Sequence, residues 1–138
     1  MKNDLERFLK AQDKDYEQAL KEIKKGRKTS HWIWYIFPQI AGLGFSSTSK
    51  YYSIKDKNEA IEYLKNNTLK HRLIEICEAL LSLESDDATY VMGYPDDLKL
   101  KSSMTLFSEV SDIDVFKKVL DKFYNGEKDE MTISLLNK

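Results

Sequence analysis

Residues 27–45 read Arg-Lys-Thr-Ser-His-Trp-Ile-Trp-Tyr-Ile-Phe-Pro-Gln-Ile-Ala-Gly-Leu-Gly-Phe, and they hold both tryptophans of the chain, one of its two histidines and one of its two prolines. Aromatic rings bury large apolar areas, while Trp and Tyr side chains keep a polar atom for a hydrogen bond. This mixture of rings and polar groups predicts one wall of a pocket. A second stretch, residues 94–107, contains the other proline and is predicted to form the opposite wall.

Length and composition indicate one globular domain over residues 1–138, large enough to build a core without disulfides or a metal. The net charge of −1, from 22 basic and 23 acidic residues, gives no general attraction to nucleic acid or to an anionic membrane. No signal-peptide core or bilayer-length apolar run is present. The single cysteine, Cys77, falls on the apolar face of a predicted helix, so we expect a reducing, cytoplasmic location.

The apolar spacing predicts a mainly α fold, with six or seven helices in one compact domain and no alternating strand pattern. We expect a first helix to end at a polar break over residues 13–15, and a second helix to end at Gly26. Pro38 argues against a continuous helix through the aromatic stretch. Residues with side chains suited to capping a helix are Asn3 or Asp4, Asp56, Asp96 or Asp97, Asp112 and Asp129. The hydroxyl cluster Ser46, Ser47, Thr48 and Ser49 either caps a short helix or binds the polar groups of a ligand.

Several well-known catalytic signatures are missing from the sequence. It has no phosphate-binding P-loop, no Cys/His set with zinc spacing and no Gly-x-Ser-x-Gly nucleophile elbow. The Gly-Leu-Gly at residues 42–44 is only a fragment of a dinucleotide-binding motif, and it suggests a tight turn or a close backbone approach. Any chemistry must therefore come from a mixed set of side chains.

The first wall offers four candidate contacts, each with an alternative structural role. His31 is either a structural histidine among aromatics or a group for ligand contact and acid/base work. Trp32 and Trp34 are two positions apart and would share one face of an extended chain, and either one of them lines the pocket or both belong to the core. Gln39 offers a donor and an acceptor to a base or an amide, or else binds the backbone of its own loop.

The second wall, residues 96–107, reads Asp-Asp-Leu-Lys-Leu-Lys-Ser-Ser-Met-Thr-Leu-Phe. It is either an ordinary amphipathic helix or a site for an anionic ligand near a helix N-terminus. Two observations favour the site. Leucines alternate with Lys99 and Lys101, so that one lysine can point inwards, and the stretch contains hydroxyl residues that helix interiors disfavour. These hydroxyl residues are Ser102, Ser103 and Thr105.

These strings resemble the bacterial "domain of unknown function 1810" family, some of whose members have a calpastatin-like label. The resemblance runs from about residue 4 to residue 136, and its most specific parts are His-Trp-Ile-Trp-Tyr-Ile-Phe-Pro-Gln (residues 31–39) and Lys-Leu-Lys-Ser-Ser-Met-Thr-Leu-Phe (residues 99–107). Lys101 stands where the family often has Arg, which keeps the positive charge but loses the guanidinium fork. Residues 88–93 also differ from the Ile-Phe-Gly that the family often has.

The family is similar, more remotely, to the YbiA-like or NADAR superfamily of mainly helical proteins, which cleave N-glycosidic bonds of ribosylated compounds. The resemblance implies a YbiA-like fold and an N-glycoside hydrolase that acts on a nucleotide-like or ADP-ribosyl substrate, without a metal or other cofactor. The NADAR motif residues do not match one for one, so no catalytic residue is transferred from that superfamily.

For such a reaction we predict that Asp97 or Asp96 stabilises the oxocarbenium ion and that Lys99 or Lys101 holds phosphate. Alternatively, a desolvated lysine attacks C1′ of an opened ribose to form a Schiff base. The predicted ligand-binding residues are Arg27, His31, Trp32, Trp34, Gln39, Ser49, Tyr52, Ser102, Ser103 and Thr105. Two alternatives remain open. One is a non-catalytic module that binds a nucleotide or ADP-ribose in the same pocket, and the other is a protein-interaction module with the tryptophans on a contact surface.

Overall fold

The computed structural model describes residues 4–138, which form nine helices and no strand. The helices are α1 (Glu6–Lys24), α2 (Ile33–Ile36), α3 (Ser47–Tyr51), α4 (Lys57–Lys65), α5 (Asn67–Leu81), α6 (Ala88–Met92), α7 (Asp96–Glu109), α8 (Asp114–Tyr124) and α9 (Glu130–Leu136). The mainly α prediction is confirmed, whereas the predicted count of six or seven helices is wrong. Single turns such as α2 and α6 are too short to show a helical period in the sequence.

α1 runs without interruption through residues 13–15, so the predicted break is wrong. Asp13 pairs with Arg72 of α5 at 2.9 Å, and Asp15 accepts a hydrogen bond from the hydroxyl of Tyr35. Aspartate lowers helix propensity because its side chain competes for backbone groups. Here partners from other parts of the fold bind both carboxylates, so the helix continues.

Only some of the helix caps predicted from the sequence are present in the structure. Two predicted caps, Asp56 and Asp129, accept a backbone hydrogen bond from the first turn of α4 and α9. Of the predicted hydroxyl cluster, Ser46 is the residue that caps α3. Apolar residues occupy the N-cap positions of α1, α7 and α8 and make no capping bond, so the caps predicted at Asp4, Asp96, Asp97 and Asp112 are wrong. The remaining candidate, Asn3, lies outside the described residues.

The core is crossed by a row of four aromatic rings. Phe8 of α1 contacts Tyr63 of α4 with ring centres 5.3 Å apart, Tyr63 contacts Phe107 of α7 at 5.2 Å, and Phe107 contacts Phe116 of α8 at 5.7 Å. All four side chains are fully buried, so the row ties four helices into one core. Across residues 4–138, no helix combines the length and the apolar character that a bilayer crossing requires.

α7 is the central helix, since it packs against α2, α6, α8 and α9. Two of its buried hydroxyl residues bind carbonyl oxygens one turn earlier, with Ser102 Oγ 3.1 Å from Leu98 O and Thr105 Oγ1 donating to Lys101 O at 2.8 Å. These bonds let polar side chains stay inside a helix without loss of hydrogen bonding. The hydroxyl of Ser103 is also buried but has no partner within the described part of the chain.

Candidate functional site

An open cavity of about 580 Å³ lies between the aromatic stretch and the first turns of α7. Its size falls within the range of small-ligand sites, about 300–1,000 Å³. Residues from both predicted walls line it, and a further side is formed by α3 and the two residues that follow it in the sequence. The lining residues are Trp34, Gln39, Ile40, Ala41, Gly42, Leu43, Gly44, Phe45, Ser49, Lys50, Tyr52, Ser53, Pro95, Leu98, Lys99, Ser102 and Asp129.

The first wall is fixed from behind by Glu22, a buried carboxylate of α1. Its Oε1 accepts hydrogen bonds from the backbone N–H of Thr29 at 2.7 Å, the backbone N–H of Ser30 at 2.9 Å and the indole N–H of Trp32 at 2.9 Å. Its Oε2 accepts from the Ser30 hydroxyl at 2.6 Å and from the Gln18 amide at 2.8 Å. Burial alone would raise the pKa of Glu22, but these hydrogen bonds lower it to about 2.

The two tryptophans have different environments. Trp32, the N-cap residue of α2, is buried in the core, whereas Trp34 is partly exposed and lines the cavity. The expectation that they share one face of an extended chain is wrong because residues 33–36 form a helical turn. Positions two apart on a helix point in different directions.

Gln39 lines the cavity from the segment that follows Pro38. The backbone N–H of Ile54 donates to Gln39 O, and the backbone N–H of Ala41 donates to Ile54 O, each at 2.8 Å. These bonds form the isolated parallel bridge between Ile40 and Ile54. The bridge therefore holds the backbone beneath Gln39 in place, and its side-chain amide offers a donor and an acceptor to a ligand.

The glycine pair in the cavity wall permits close packing of the backbone. Gly42 has φ +106°, and a Cβ there would lie 3.1 Å from Leu135 of α9. A Cβ on Gly44 would lie 2.5 Å from Ser49 Oγ, so only glycine lets the loop approach α3 this closely. The next residue, Phe45, is 85% exposed beside the cavity.

Lys99 is the charged residue of α7 that reaches the cavity. Its Nζ lies 5.2 Å from the centre of the Trp34 ring and 3.4 Å from Asp96 Oδ1. Ser102 follows Lys99 on α7 and also lines the cavity, and its single hydroxyl proton is shared between Leu98 O and Asp129 Oδ2, each 3.1 Å from its Oγ. An ammonium, an indole ring and a carboxylate therefore share one space that is open to solvent.

Asp97 does not line the cavity. Its carboxylate accepts hydrogen bonds from Thr89 Oγ1 at 2.6 Å and from the backbone N–H of Leu98 at 2.9 Å. Its carbonyl oxygen accepts from the hydroxyl of Tyr124 at 2.5 Å, and burial together with the Asp97 charge raises the pKa of Tyr124. These bonds make Asp97 a structural link between α6, α7 and α8.

Seven other predicted site residues also lie outside the cavity lining, namely Asp96, Lys101, Arg27, His31, Trp32, Ser103 and Thr105. Lys101 lies 4.0 Å from Glu127, and Arg27 lies over the exposed ring of Tyr90 at 5.4 Å. Six predicted residues do line the cavity, namely Trp34, Gln39, Ser49, Tyr52, Lys99 and Ser102.

Asp129 is the cavity residue that sequence reasoning missed, because the sequence marks it only as a helix cap. Its Oδ2 accepts hydrogen bonds from Ser102 Oγ at 3.1 Å, from the backbone N–H of Thr132 at 3.1 Å and from Thr132 Oγ1 at 2.5 Å. Among residues 4–138 it supplies the only carboxylate of the cavity lining. In the same part of the chain, no group of three or more His, Cys, Asp or Glu side chains is placed to hold a metal ion.

Comparison with known proteins gives a family but no activity. Residues 2–136 match the family described as "Protein of unknown function (DUF1810)". The chain is also similar to a solved structure, that of the conserved hypothetical protein Rv1873 from Mycobacterium tuberculosis, with 40% sequence identity and a TM-score of 0.95 over 98% of this chain and 97% of that one. No curated protein matches the chain.

Proposed function

Because the chain belongs to the DUF1810 family, whose description assigns no activity, we propose a function from its cavity: hydrolysis of the N-glycosidic bond of a nucleotide-like or ADP-ribosyl ligand. The observation that supports this proposal is the presence of Trp34, Lys99 and Asp129 in the lining of one cavity. Such a ligand has a flat base, anionic phosphate and a sugar carbon that becomes cationic in the reaction. The YbiA-like fold implied by the sequence resemblance, and a cytoplasmic location, are parts of the same proposal.

The aromatic and amide groups of the cavity suit the base of such a ligand. Trp34 and Tyr52 supply ring surface against which a base can pack, at about 1–3 kcal/mol per stacked base. Gln39 supplies a donor and an acceptor for the edge of the base. These three side chains account for binding but not for bond cleavage.

The cationic groups suit phosphate. Lys99 and Lys50 line the same cavity, whereas the hydroxyls of Ser49 and Ser53 there already donate to the carbonyl oxygens of Ser46 and Lys50. Hydrogen bonds in which the donor or the acceptor is charged are about twice as strong as neutral ones. We expect Lys99 to contribute most to phosphate binding, because its side chain is only 29% exposed.

Asp129 is our candidate for the catalytic carboxylate, in place of Asp97, whose carboxylate is bound elsewhere. Three hydrogen bonds fix its Oδ2, and its Oδ1 accepts none from residues 4–138. In the reaction, the C1′–N bond breaks and the base leaves with the electron pair and takes up a proton. Water then bonds to C1′ and loses a proton, and a fixed carboxylate lowers the barrier by stabilising the positive charge on C1′.

The test is a product screen in which nucleoside 5′-monophosphates, ADP-ribose and NAD are incubated with the protein and the released base is measured by liquid chromatography. Asp129→Asn is expected to lower kcat by about 10²-fold or more, in line with the loss of other preorganised electrostatic groups. Asparagine is as good a helix cap as aspartate, so α9 is kept. Asp56→Asn is the matched control, because Asp56 caps α4 away from the cavity lining.

A second pair of variants tests the phosphate role. Lys99→Ala is expected to raise KM by about tenfold, the size of a lost charge-assisted hydrogen bond of about 1.4 kcal/mol. Lys101→Ala is the matched control, two positions along the same helix but outside the cavity lining, and it should leave KM unchanged.

Equal turnover by the wild type and Asp129→Asn would contradict the catalytic proposal.

One observation favours the alternative of a non-catalytic binding module. Asp129 caps α9 through its bond to the Thr132 N–H, so its position has a structural explanation without catalysis. If a ligand binds about tenfold more weakly to Lys99→Ala than to the wild type but is recovered intact after long incubation, the cavity is a binding site only.

A further inference from the structure

Each of the two tryptophans carries a lysine ammonium over its ring. Lys28 Nζ lies 4.9 Å from the centre of the Trp32 ring, and Lys99 Nζ lies 5.2 Å from the centre of the Trp34 ring. Both distances are within the range of about 6 Å at which a cation is attracted to the face of an indole. One of these pairs is in the core, and the other lines the cavity.

Asp96 joins the two pairs through its two carboxylate oxygens. Its Oδ2 lies 2.7 Å from Lys28 Nζ, and its Oδ1 lies 3.4 Å from Lys99 Nζ. The result is one continuous chain of contacts, in the order Trp32, Lys28, Asp96, Lys99 and Trp34. The carboxylate thus connects the packed interior to the cavity wall.

Lys28, at the buried end of this series of contacts, is held in place by several bonds. The Lys28 side chain is only 5% exposed, and its Nζ also donates to Ser30 O at 2.5 Å. The backbone N–H of Lys28 donates to Val91 O at 2.7 Å, which ties this position to α6. A lysine held at three points fixes the carboxylate of Asp96, because a charged hydrogen bond in a buried site is costly to break.

We propose that Asp96 is a positioning residue that holds the Lys99 side chain over Trp34, so that the charge of Lys99 stays at the cavity wall as an anion-binding group. The ligand group that fits beside it is a phosphate or another compact anion. That role toward a ligand rests on the proposed function, whereas the role of Asp96 does not.

The test measures the reactivity of Lys99 in the ligand-free protein. The folded chain is treated briefly with acetic anhydride at fixed pH, and acetylation of each lysine is quantified by peptide mass spectrometry. In Asp96→Asn, Lys99 is expected to be acetylated about fivefold faster than in the wild type, because its amine has lost its carboxylate partner. Lys101 in the same digest should be unchanged, and Asp96→Glu should restore slow acetylation of Lys99.

Two further variants keep the result interpretable. Asp96→Asn leaves buried Lys28 without its counter-charge and can lower stability, so the double variant Lys28→Met with Asp96→Asn removes both charges together. It should show the same acceleration at Lys99. Glu127→Gln removes the carboxylate near Lys101 and should leave Lys99 unchanged.

Equal Lys99 acetylation in the wild type, Asp96→Asn and the double variant, all folded, would overturn the proposal. So would parallel acceleration at Lys99 and Lys101, which indicates general loosening of α7. Because no ligand is present, either result is independent of whether the cavity hydrolyses a nucleotide.

Discussion

Replacing Glu22 by glutamine removes the charge that binds residues 29–32 to α1 while keeping the size of the side chain. Both oxygens of the wild-type carboxylate accept hydrogen bonds, from Ser30, Gln18 and Trp32 among others. In Glu22→Gln an NH₂ group replaces one of these oxygens, so a donor would face groups that are themselves donors. The pKa of Glu22 falls from its ordinary value of 4.5 to about 2 on folding. At about 1.4 kcal/mol per pKa unit, this difference of about 2.5 corresponds to about 3 kcal/mol of stability.

The pH dependence follows from the sign of the shift. A carboxyl group whose pKa is lower in the folded state stabilises the fold above its unfolded pKa, and this stabilisation is lost as the pH falls towards its folded pKa. The difference in unfolding free energy between the wild type and Glu22→Gln should therefore be complete above about pH 5.5. It should shrink between pH 4.5 and about 2 as Glu22 takes up a proton.

Urea unfolding followed by tryptophan fluorescence measures this difference, because Trp32 is buried beside Glu22. Glu17→Gln is the control, since Glu17 lies exposed on the same helix and its replacement should cost within about 0.5 kcal/mol. A deficit for Glu22→Gln that stays constant from pH 7 to pH 3 would refute the reasoning. It would show that packing and not the charge accounts for the loss.

Three further predictions concern the fold around the site. Gly44→Ala should cost about 1–3 kcal/mol in urea unfolding, because its Cβ would lie 2.5 Å from Ser49 Oγ. Lys122→Met should cost about 1–3 kcal/mol in the same assay, because the ammonium donates to Leu80 O at 3.1 Å, to Leu81 O at the end of α5 and to Leu83 O just beyond it. Cys77 is fully buried and burial raises the pKa of its thiol, so iodoacetamide at pH 8 should modify it in urea but not in the native protein, as mass spectrometry would show.

The helical class could be predicted from the sequence because apolar periodicity is a local signal. α8, for example, buries Val115, Phe116, Val119, Leu120 and Phe123 along one face. The uninterrupted course of α1 could not be predicted, because Arg72 and Tyr35, which bind Asp13 and Asp15, are distant in sequence. A local pattern contains no information about such partners.

The candidate site could likewise be predicted only in part from local sequence. The ring-rich and lysine-rich stretches are visible in the sequence, and Trp34 and Lys99 meet in the cavity. Which of the two tryptophans faces the cavity could not be predicted, since residues 33–36 form a short helical turn that gives no periodic signal, and on a helix positions two apart point in different directions. Asp129 was missed because its place in the lining depends on how α9 packs against α7, which is set by tertiary contacts.

The most direct test of the cavity as a ligand site uses the indole N–H signals of the two tryptophans in a ¹H–¹⁵N NMR spectrum. ADP-ribose and nucleoside 5′-monophosphates would be titrated into the ¹⁵N-labelled protein, with Trp34→Phe to assign the signals. Trp34 lines the cavity, whereas the Trp32 N–H is bound to buried Glu22. We expect a saturable shift of the Trp34 signal with the Trp32 signal unmoved, and an unmoved Trp34 signal with every ligand of this class would contradict the account.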